Sequence, residues 1–463
     1  MRPVLSIEEM REVARAATAS VPVERLIERA GTAVAREAAA MLDGGYGCRV
    51  IVVAGPGNNG ADGRVAARLL ERRGAKVEVL EAGEAREVLP PADLVVDAAF
   101  GTGFRGEYKM PAPTGAPVLS VDVPSGLDAD TGECCEEAVR ADRTVTMGAL
   151  KPGLLLGAGR ERAGQVLVRR VGLPVPPPEQ CRMCLIEDRD VADLVPERGP
   201  EWHKWRTALA VVAGSPGMFG APSFVARAAA RAGAGMVRLG IPGAGPSDLP
   251  VSEAVSASLP LEGFDEAALE SAARCKALVV GPGLGTDERT VAAVRRIVAK
   301  ADVPVLVDAD GLTALGDVES AARLISERSA STVLTPHDGE FARLAGKSPG
   351  RARIAAVLEL ASALGAVVLL KGSTTIVADE AGRVLLASSG SSRLATAGTG
   401  DVLSGVLGAF LARGMSGIEA AGVAAHVHGR AAELGPFEGL IAPDLPELIS
   451  RVLSSALGST RAC

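Results

Sequence analysis

The segment Gly55–Gly63 combines a glycine-rich loop with side chains that bind cations. It has the G-x-G-x-x-G spacing of dinucleotide-binding loops and lies between an apolar run and a helical pattern. It also contains two adjacent asparagines, Asn58 and Asn59, and the carboxylate of Asp62. A carboxylate would repel a bound pyrophosphate, whereas amide and carboxylate oxygens are ligands for a hard cation. The segment therefore predicts a ligand site that differs from an ordinary dinucleotide-binding loop.

Two further segments place oxygen-bearing side chains directly after short apolar runs. Asp97 opens the segment 97–106, and the segment 121–128 contains Asp122 and Ser125. Ligands of open parallel sheets gather at the carboxyl ends of the strands. We therefore expect these two segments to converge with the glycine-rich loop at one edge of a sheet.

In the second half of the chain, glycine and polar residues repeatedly end apolar runs. The segments are Gly214–Ala221, Gly281–Gly285, Asp308–Leu312, Thr335–Glu340, Lys371–Thr375 and Leu394–Gly405. One cleft at the edge of a second sheet would explain all of these segments together.

The segment Leu394–Gly405 predicts a site for phosphoryl transfer. Its small residues would let backbone amides approach an anion, and the N-terminus of the apolar helix that follows adds partial positive charge. Asp401, at the mouth of this site, is placed to accept a proton from a hydroxyl group that attacks phosphorus. The alternative is that Asp401 only stabilises the helix N-terminus by its charge.

Strand and helix patterns alternate along the chain and position these segments. The strands predicted in the first part are Val50–Val53, Val77–Leu80, Leu94–Val96, Val118–Val121 and Thr144–Met147, with a helix predicted over Ala61–Arg73. Those predicted in the second part are Leu209–Val212, Val237–Leu239, Ala277–Val280, Val305–Val307, Thr332–Leu334 and Val367–Leu370. Such alternation is typical of parallel sheets covered by helices, so we predict an α/β fold throughout.

The proline-rich segment Val171–Pro178 interrupts this alternation, because consecutive prolines stiffen an extended connection and cannot continue a helix. We therefore predict two domains, the first over residues 1–180 and the second over residues 190–463.

Composition and charge limit the classes of partner. Of 463 residues, 48% are hydrophobic, and the formal net charge of −7 argues against nucleic acid or an acidic membrane as the main partner. No run of ~20 uncharged apolar residues occurs. Residues Ser6–Glu9 predict a helix capping box where a secretory signal would be apolar. Cys181 and Cys184 have no second pair that would complete a zinc site. We expect a cytoplasmic homo-oligomer.

The first domain resembles the NAD(P)H-hydrate epimerase family, which implies a Rossmann-like, three-layer α/β domain. The resemblance is carried by Gly55–Gly63, Asp97–Gly106, Asp122–Ser125 and Gly148–Gly153. It implies a substrate site formed by Asn58, Asn59, Gly60, Ala61, Asp62, Gly101, Thr102, Gly103, Phe104, Arg105, Gly106, Glu107 and Asp122. It further implies that Asn59, Asp97 and Ser125 coordinate a potassium ion. Ala61 stands where the family usually has a glycine.

The implied reaction inverts C6 of the hydrated nicotinamide ring, the carbon that bears the added hydroxyl group. Because the ring nitrogen stabilises a cation, C6 can lose hydroxide and regain it on the other face. We hypothesise that Asp122 is the general acid/base of this step. The alternative is that Asp122 caps a turn with Ser125.

The second domain, from about Glu201 to the end, resembles the ADP- or ATP-dependent NAD(P)H-hydrate dehydratases, a branch of the ribokinase-like kinases. The resemblance rests on Gly281–Gly285, Asp308–Leu312 and Thr335–Glu340 taken together. It implies a hydrate site formed by Ala221, Gly283, His337 and Asp401, and a nucleotide site formed by Lys371, Gly372, Ser373, Thr374, Thr375 and Gly400, with Mg²⁺ accompanying the nucleotide. The C6 hydroxyl group would be phosphorylated with Asp401 as base, and loss of phosphate would restore the reduced cofactor.

Two other functions each fit part of the sequence. A ribokinase-like kinase would release a phosphorylated vitamin or sugar, but the fused epimerase-like domain argues against it. An inactive domain would serve only for binding or oligomerisation, but the carboxylates of Asp62, Asp97, Asp122 and Asp401 beside glycine loops argue against that. The sequence does not choose between ADP and ATP, or between the hydrates of NADH (NADHX) and NADPH (NADPHX).

Overall fold

The chain folds as two units, each built around a mainly parallel sheet. The computed structural model of the protein describes residues 1–83, 87–104, 106, 108–134 and 136–459. The N-terminal unit comprises Arg2–Cys181, and the C-terminal unit comprises Met1 and Arg182–Cys463.

The sheet of the N-terminal unit is parallel, with the strand order β3-β2-β4-β5-β6-β7. The strands of the unit are β1 (Arg2–Pro3), β2 (Arg49–Ala54), β3 (Lys76–Glu81), β4 (Leu94–Ala98), β5 (Val118–Val121), β6 (Arg143–Met147) and β7 (Gln165–Arg169). Its helices are α1 (Ile7–Thr18), α2 (Val23–Met41), α3 (Asn58–Glu71) and α4 (Gly157–Arg162), with 3₁₀ turns at Pro152–Leu154 and Pro178–Gln180.

Strand β2 contributes buried apolar side chains to both faces of this sheet. Val50 and Val52 pack in one buried cluster with residues of α2 and α3, whereas Ile51 and Val53 pack in a second cluster. A strand buried on both faces is a continuous apolar run, and such runs predicted strands β2 to β6 to within two residues. The predicted capping box is also present, since Ser6 and Glu9 exchange side-chain and backbone hydrogen bonds at the start of α1.

Helix α3 begins at Asn58 rather than at the predicted Ala61, so the two asparagines lie in its first turn. Gly57 is the N-cap in an extended conformation, and the amide of Ala61 donates to the carbonyl oxygen of Gly57. This early start depends on Gly60, because a Cβ atom there would lie 1.9 Å from the carbonyl oxygen of Gly55. The methyl group of Ala61, by contrast, is accommodated within the helix.

The strands of the C-terminal unit form a sheet that is parallel except around β16. They are β8 (Met183–Leu185), β9 (Ala208–Val212), β10 (Met236–Gly240), β11 (Ala254–Ser256), β12 (Ala277–Val280), β13 (Val305–Val307), β14 (Thr332–Leu334), β15 (Val367–Leu370), β16 (Thr375–Ala378) and β17 (Val384–Ala387). Their order is β8-β17-β16-β15-β14-β13-β12-β9-β10-β11, and β16 runs antiparallel to both of its neighbours. The predicted strands of the second part are thereby confirmed, while β8, β11, β16 and β17 lie outside the prediction.

Helices follow most of these strands. They are α5 (Asp188–Leu194), α6 (Gly220–Arg231), α7 (Asp265–Ala273), α8 (Glu288–Lys300), α9 (Asp310–Leu315), α10 (Val318–Ser326), α11 (Asp338–Ala345), α12 (Arg353–Leu364), α13 (Thr399–Ala412), α14 (Gly417–Leu434) and α15 (Leu445–Ser459). Short 3₁₀ turns lie at Lys204–Thr207, Pro246–Asp248, Ser392–Leu394 and Ala442–Asp444.

Helix α13 is buried along most of its length and packs closely against α6. A Cβ atom at Gly405 would lie 2.3 Å from the carbonyl oxygen of Val225, so glycine permits this approach. The N-terminus of α13 is thereby held in a fixed position beside the carboxyl ends of the strands. Within the described ranges, no helix is both long enough and apolar enough to cross a bilayer.

Candidate active sites

A pocket of about 900 Å³ opens in the N-terminal unit, at the carboxyl ends of β2, β4 and β5. The predicted substrate residues that line it are Asn58, Asn59, Asp62, Gly101, Thr102, Gly103, Phe104 and Asp122. Gly60, Ala61 and Gly106 do not line it, and Arg105 and Glu107 lie outside the described residues. Ile7, Met10, Leu26 and Ile27 add an apolar wall from α1 and α2. The pocket thus joins an apolar surface with a few polar groups, as ligand sites do.

Asp122 is anchored at the end of β5 by a buried lysine. Its Oδ1 atom accepts hydrogen bonds from Lys151 Nζ at 2.5 Å, from Thr146 Oγ1 at 3.1 Å and from the Met147 amide at 3.1 Å. Lys151 is only 1% exposed and also donates to Thr146 Oγ1 and to the Met147 carbonyl. Asp122 has a backbone φ of 67°, which is unusual for a residue with a side chain and is typical of functional sites.

Lys151 was not among the predicted site residues. The residue lies within Gly148–Gly153, which supported the family resemblance, but a lysine in a sequence is ordinarily a surface residue. A fully buried lysine requires a partner, and only the fold shows that this partner is Asp122.

Asp62 is the second carboxyl group on the pocket wall, and it differs from Asp122 in its surroundings. Its side chain is 8% exposed and receives no hydrogen bond from the described residues. Burial, and next the negative charge of Asp122, raise the pKa of Asp62 to about 8. The two carboxyl groups of this pocket therefore differ in their partners, because Lys151 binds Asp122 and no described residue donates a hydrogen bond to the buried Asp62.

The residues expected to bind potassium lie at the base of the same loops. Asp97 is fully buried and accepts hydrogen bonds from Ser125 Oγ at 2.6 Å, Ser120 Oγ at 2.8 Å and the Ser125 amide at 2.9 Å. Burial raises the pKa of Asp97, while the hydrogen bonds from Ser125 and Ser120 oppose this rise. Asn59 is buried, and its Nδ2 atom has no hydrogen-bond partner among the described residues.

In the C-terminal unit, Asp308, Lys371 and Ser404 form one hydrogen-bonded group at the carboxyl ends of β13 and β15. Lys371 Nζ donates to Asp308 Oδ1 at 2.7 Å, and Ser404 Oγ donates to Asp308 Oδ2 at 2.6 Å. Asp308 is buried, so its charge is stabilised by these two partners. Asp308 and Ser404 were not among the predicted site residues, although each lies within a predicted segment.

Asp401 lies in the first turn of α13, beside this group. The N-cap of the helix, Gly398, has a φ of 88°, which favours glycine. Burial, and next the charge of Asp308, raise the pKa of Asp401 to about 7, whereas the charge of Lys371 opposes this rise. A carboxyl group with this pKa can exchange a proton near neutral pH, as a general base requires.

Close backbone contacts join the glycine segments of this site. A Cβ atom at Gly281 would lie 1.9 Å from the carbonyl oxygen of Asp308, and the Gly285 amide donates to Asp310 Oδ2 at 2.9 Å. A Cβ atom at Gly283 would lie 3.3 Å from Cβ of Ala221, so these two predicted hydrate-site residues are neighbours. The segments that end β9, β12 and β13 therefore converge, as predicted.

The remaining predicted residues of this unit occupy the same edge of the sheet. A Cβ atom at Gly400 would lie 3.5 Å from Lys371 Nζ, which brings these two predicted nucleotide residues together. Residues 372–374 connect β15 with β16, with Gly372 and Ser373 exposed, and Thr375 is the first residue of β16. His337 is the N-cap of α11, where its Nδ1 atom accepts hydrogen bonds from the Gly339 and Glu340 amides. Its ring is largely exposed at this edge, and Nε2 lies 3.5 Å from Glu340 Oε1.

Both units match known families. A family model for NAD(P)H-hydrate dehydratase matches residues 209–454, and a model for the YjeF-related protein N-terminus matches residues 23–88 and 80–153. Among solved structures, an ADP/ATP-dependent NAD(P)H-hydrate dehydratase from Bacillus subtilis, co-crystallised with ATP and Mg²⁺, is 30% identical with a TM-score of 0.51. It covers 58% of this chain and 97% of its own. A ribokinase-like superfamily protein from Enterococcus faecalis, 21% identical over 60% of this chain and 96% of its own with a TM-score of 0.50, supports the fold alone.

Full-length relatives contain both parts. A bifunctional NAD(P)H-hydrate repair enzyme from Salinibacter ruber is 37% identical over 95% of this chain and 94% of its own length. An enzyme of the same description from Mycobacterium tuberculosis is 39% identical over 91% of each chain. The predicted α/β fold class and the predicted family are thereby confirmed. Since these relatives align along nearly the whole length of both partners, the chain belongs to the family of bifunctional NAD(P)H-hydrate repair enzymes.

Proposed function

We propose that the chain repairs hydrated NADH and NADPH by epimerising the R and S hydrates and dehydrating the S hydrate at the expense of a nucleotide. The observation that carries this proposal is the presence of both site geometries on one chain whose full-length relatives are named for this repair. The N-terminal unit is the epimerase, and the C-terminal unit is the dehydratase.

For the epimerase, the substrate residues proposed are those predicted around the pocket, with Asp122 facing C6 of the ring. The apolar wall of Ile7, Met10 and Leu26 is suited to one face of the hydrated nicotinamide. Loss of hydroxide leaves a cation delocalised onto the ring nitrogen, and the Asp122 carboxylate is placed to stabilise that charge.

For the dehydratase, Asp401 accepts the proton of the C6 hydroxyl group as that oxygen attacks the terminal phosphorus of ADP or ATP. The amides of Gly398 to Gly400, at the N-terminus of α13, and Lys371 balance the charge on the transferred phosphoryl group. Phosphate then leaves C6 with the bonding electron pair, the ring nitrogen assists, and loss of a proton from C5 restores the ring double bond. Lys371, Gly372, Ser373, Thr374, Thr375 and Gly400 form the proposed nucleotide site, and Ala221, Gly283, His337 and Asp401 the proposed hydrate site.

Two metal ions belong to this proposal. Asn59, Asp97 and Ser125 offer amide, carboxylate and hydroxyl oxygens, and no described lysine or arginine neutralises the buried Asp97. These features fit a potassium ion, which would supply the missing positive charge and hold the loops of the pocket together. Mg²⁺ would accompany the nucleotide, because it binds phosphates with one or two carboxylates, and Asp308 and Asp310 lie at this edge of the sheet.

The first experiment is to incubate the full chain with both hydrate epimers, Mg²⁺, K⁺ and either ADP or ATP, and to follow the absorbance of the reduced nicotinamide. We expect complete recovery, because the epimerase converts the epimer that the dehydratase rejects. Recovery that stops at the fraction of one epimer would contradict the epimerase assignment alone. No recovery with either nucleotide would contradict the dehydratase assignment.

A homo-oligomeric state and a cytoplasmic location are parts of the same proposal. Light scattering of the purified chain measures the first, and immunodetection in cell fractions measures the second. Replacing K⁺ by Na⁺ in the recovery assay tests the potassium site, and we expect slower recovery from the mixed epimers with unchanged recovery from the S epimer.

A further inference from the structure

Two carboxyl groups, Asp62 and Asp122, line the pocket of the N-terminal unit, but they differ in their hydrogen-bond partners. All three hydrogen bonds to Asp122 converge on its Oδ1 atom, and one of them comes from the ammonium group of Lys151. Its Oδ2 atom receives no hydrogen bond from the described residues, and the side chain is 18% exposed. Asp122 is thus an anchored carboxylate that presents one free oxygen to the pocket.

Asp62 has the complementary properties. It projects from the first turns of α3 into the same pocket, is 8% exposed, and has no hydrogen-bond or ion-pair partner among the described residues. Burial and the charge of Asp122 raise the pKa of Asp62 to about 8, so this carboxyl group holds a proton at neutral pH.

The other charged groups around Asp62 do not provide it with an ion-pair partner among the described residues. Three of these groups line the same pocket: Asp122 from the segment after β5, Lys151 from the segment after β6, and Arg11 from α1. Asp97 lies buried at the end of β4. Lys151 is bound to Asp122, so the charge of the lysine is compensated by that carboxylate.

We propose that Asp62 carries the proton of the epimerisation, while the lysine-bound carboxylate of Asp122 stabilises the cationic ring. This inference rests on the proposed epimerase function and changes the role that sequence reasoning gave to Asp122. An oxygen that accepts a hydrogen bond from an ammonium group has no proton to donate, whereas an unpartnered protonated carboxyl group on the pocket wall has one.

The epimerisation consists of loss of water from C6 and re-addition of water to the other face. In the first half, the C6–O bond breaks, its electron pair leaves with oxygen, the Asp62 proton converts that oxygen to water, and the nitrogen lone pair forms the C6–N double bond. In the second half, water adds to the other face of C6, its proton returns to the Asp62 carboxylate directly or through another water, and the nitrogen recovers its lone pair. Asp122 gains no proton in either half, and its carboxylate stabilises the positive charge of the ring.

The test uses the full chain without nucleotide, so that the dehydratase is silent and only epimerisation occurs. The ratio of R to S hydrate is followed by chromatography, from a start enriched in one epimer, over a pH range that brackets the pKa of Asp62. An enzyme-free blank corrects for spontaneous epimerisation. The variants are Asp62→Asn, Asp62→Glu and Asp122→Asn.

For the wild-type chain, we expect epimerisation to fall as pH rises through about 8, because the proton donor is lost there. We call this fall in rate the alkaline limb of the pH profile. Asp62→Asn should lose ~10²–10⁴-fold in kcat and should lose the alkaline limb. Asp62→Glu should recover part of the rate and restore the alkaline limb. Asp122→Asn should also be slower but keep the alkaline limb, shifted to lower pH, because one cause of the raised pKa is gone.

Folding is controlled within the same molecule and by a direct measurement. Dehydration of S hydrate with ATP reports on the C-terminal unit of each variant, and thermal unfolding reports on the N-terminal unit. Asparagine has nearly the shape of a protonated aspartate, so Asp62→Asn should unfold like the wild type. Asp122→Asn keeps Asp62 itself, so the predicted shift of the limb is readable even if Asp62→Asn does not fold.

Three outcomes separate the possibilities. If Asp62→Asn epimerises at more than about a tenth of the wild-type rate, Asp62 is not the proton carrier. If Asp122→Asn loses the alkaline limb while Asp62→Asn retains it, the two roles are reversed and the inference is wrong. If the wild-type chain does not interconvert the epimers at all, the proposed epimerase function itself has failed.

Discussion

At the sheet edge of the C-terminal unit, the side chains of Asp308 and Asp401 differ in their partners and therefore in their ability to accept a proton. Asp308 is held by Lys371 and Ser404, so each of its oxygens accepts one hydrogen bond. Asp401 lies nearby in the first turn of α13, and the charge of Asp308 is the second largest cause of its raised pKa. The negative charge of one aspartate therefore tunes the basicity of the other.

This coupling predicts the pH dependence of dehydration. The pKa of Asp401 is raised to about 7, and its base form is the ionised one, so kcat/KM for S hydrate should rise with pH through about 7 and then level off. Asp308→Asn removes a negative charge and frees Lys371, and both changes lower the pKa of Asp401. The midpoint of the profile should therefore move to lower pH, while Asp401→Asn should lose ~10²–10⁴-fold in rate.

The measurement is the initial rate of NADH formation from S hydrate at saturating nucleotide across pH. Asp302→Asn, an exposed aspartate of the same unit, is the matched control and should keep the wild-type midpoint. A midpoint that stays in place in Asp308→Asn would show that Asp308 does not set the basicity of Asp401.

At the scale of the element, the start of α3 depends on the absence of one side chain. A Cβ atom at position 60 would lie 1.9 Å from the Gly55 carbonyl oxygen, which is backbone and cannot rotate away. Gly60→Ala should therefore destabilise the N-terminal unit by about 1–3 kcal/mol or more and displace Asn59 and Asp62. For a domain of this size, each kcal/mol lowers the unfolding temperature by roughly 2–4 °C.

Gly57→Ala is the matched control for this substitution. Position 57 has an ordinary extended backbone, and nothing lies within 4 Å of a Cβ atom built there. Gly57→Ala should therefore lower the stability of the N-terminal unit only through the weaker N-cap preference of alanine, by about 1 kcal/mol or less. Thermal unfolding of both variants, with dehydration of S hydrate as a reporter on the other unit, makes the comparison. Equal stability of the two variants would refute the steric argument.

The same position shows where sequence reasoning about elements reaches its limit. Strand β5 was predicted residue by residue, because a strand buried on both faces is a short apolar run bounded by turn residues. The start of α3 was placed three residues late, since its first turn depends on contact with Gly55, which periodicity does not encode. The apolar run Val384–Ala387 forms β17, whose antiparallel pairing with β16 was not predicted.

Pairs that are distant in the chain were the least predictable part of the two sites. Lys371 and Asp308 are 63 residues apart, and they meet because β13, β14 and β15 are neighbours in the sheet. Both residues lay in predicted segments, but nothing in either segment indicates the partner of the other. Lys151 and Asp122 illustrate the same limit, since the burial of the lysine follows from the fold and not from local sequence.

At the scale of the whole molecule, each unit has its own sheet order and its own candidate site. The buried clusters around β2 consist of residues of the N-terminal unit, and Asp401 and its partners belong to the C-terminal unit. A substitution that removes one carboxyl group in one site should therefore leave the other site folded and active. Asp401→Asn should still interconvert the hydrate epimers, and Asp62→Asn should still dehydrate S hydrate.

This independence predicts that two inactive halves complement each other in one solution. A mixture of the Asp401→Asn and Asp62→Asn chains contains one intact site of each kind, although on different molecules. If the epimerised hydrate leaves one site and reaches the other through solvent, the mixture should recover all of the reduced cofactor from both epimers, as the wild type does. Each variant alone should fail, with Asp62→Asn stopping at the fraction of S hydrate. Recovery by the mixture that stops at that same fraction would show that the hydrate passes between sites only within one molecule.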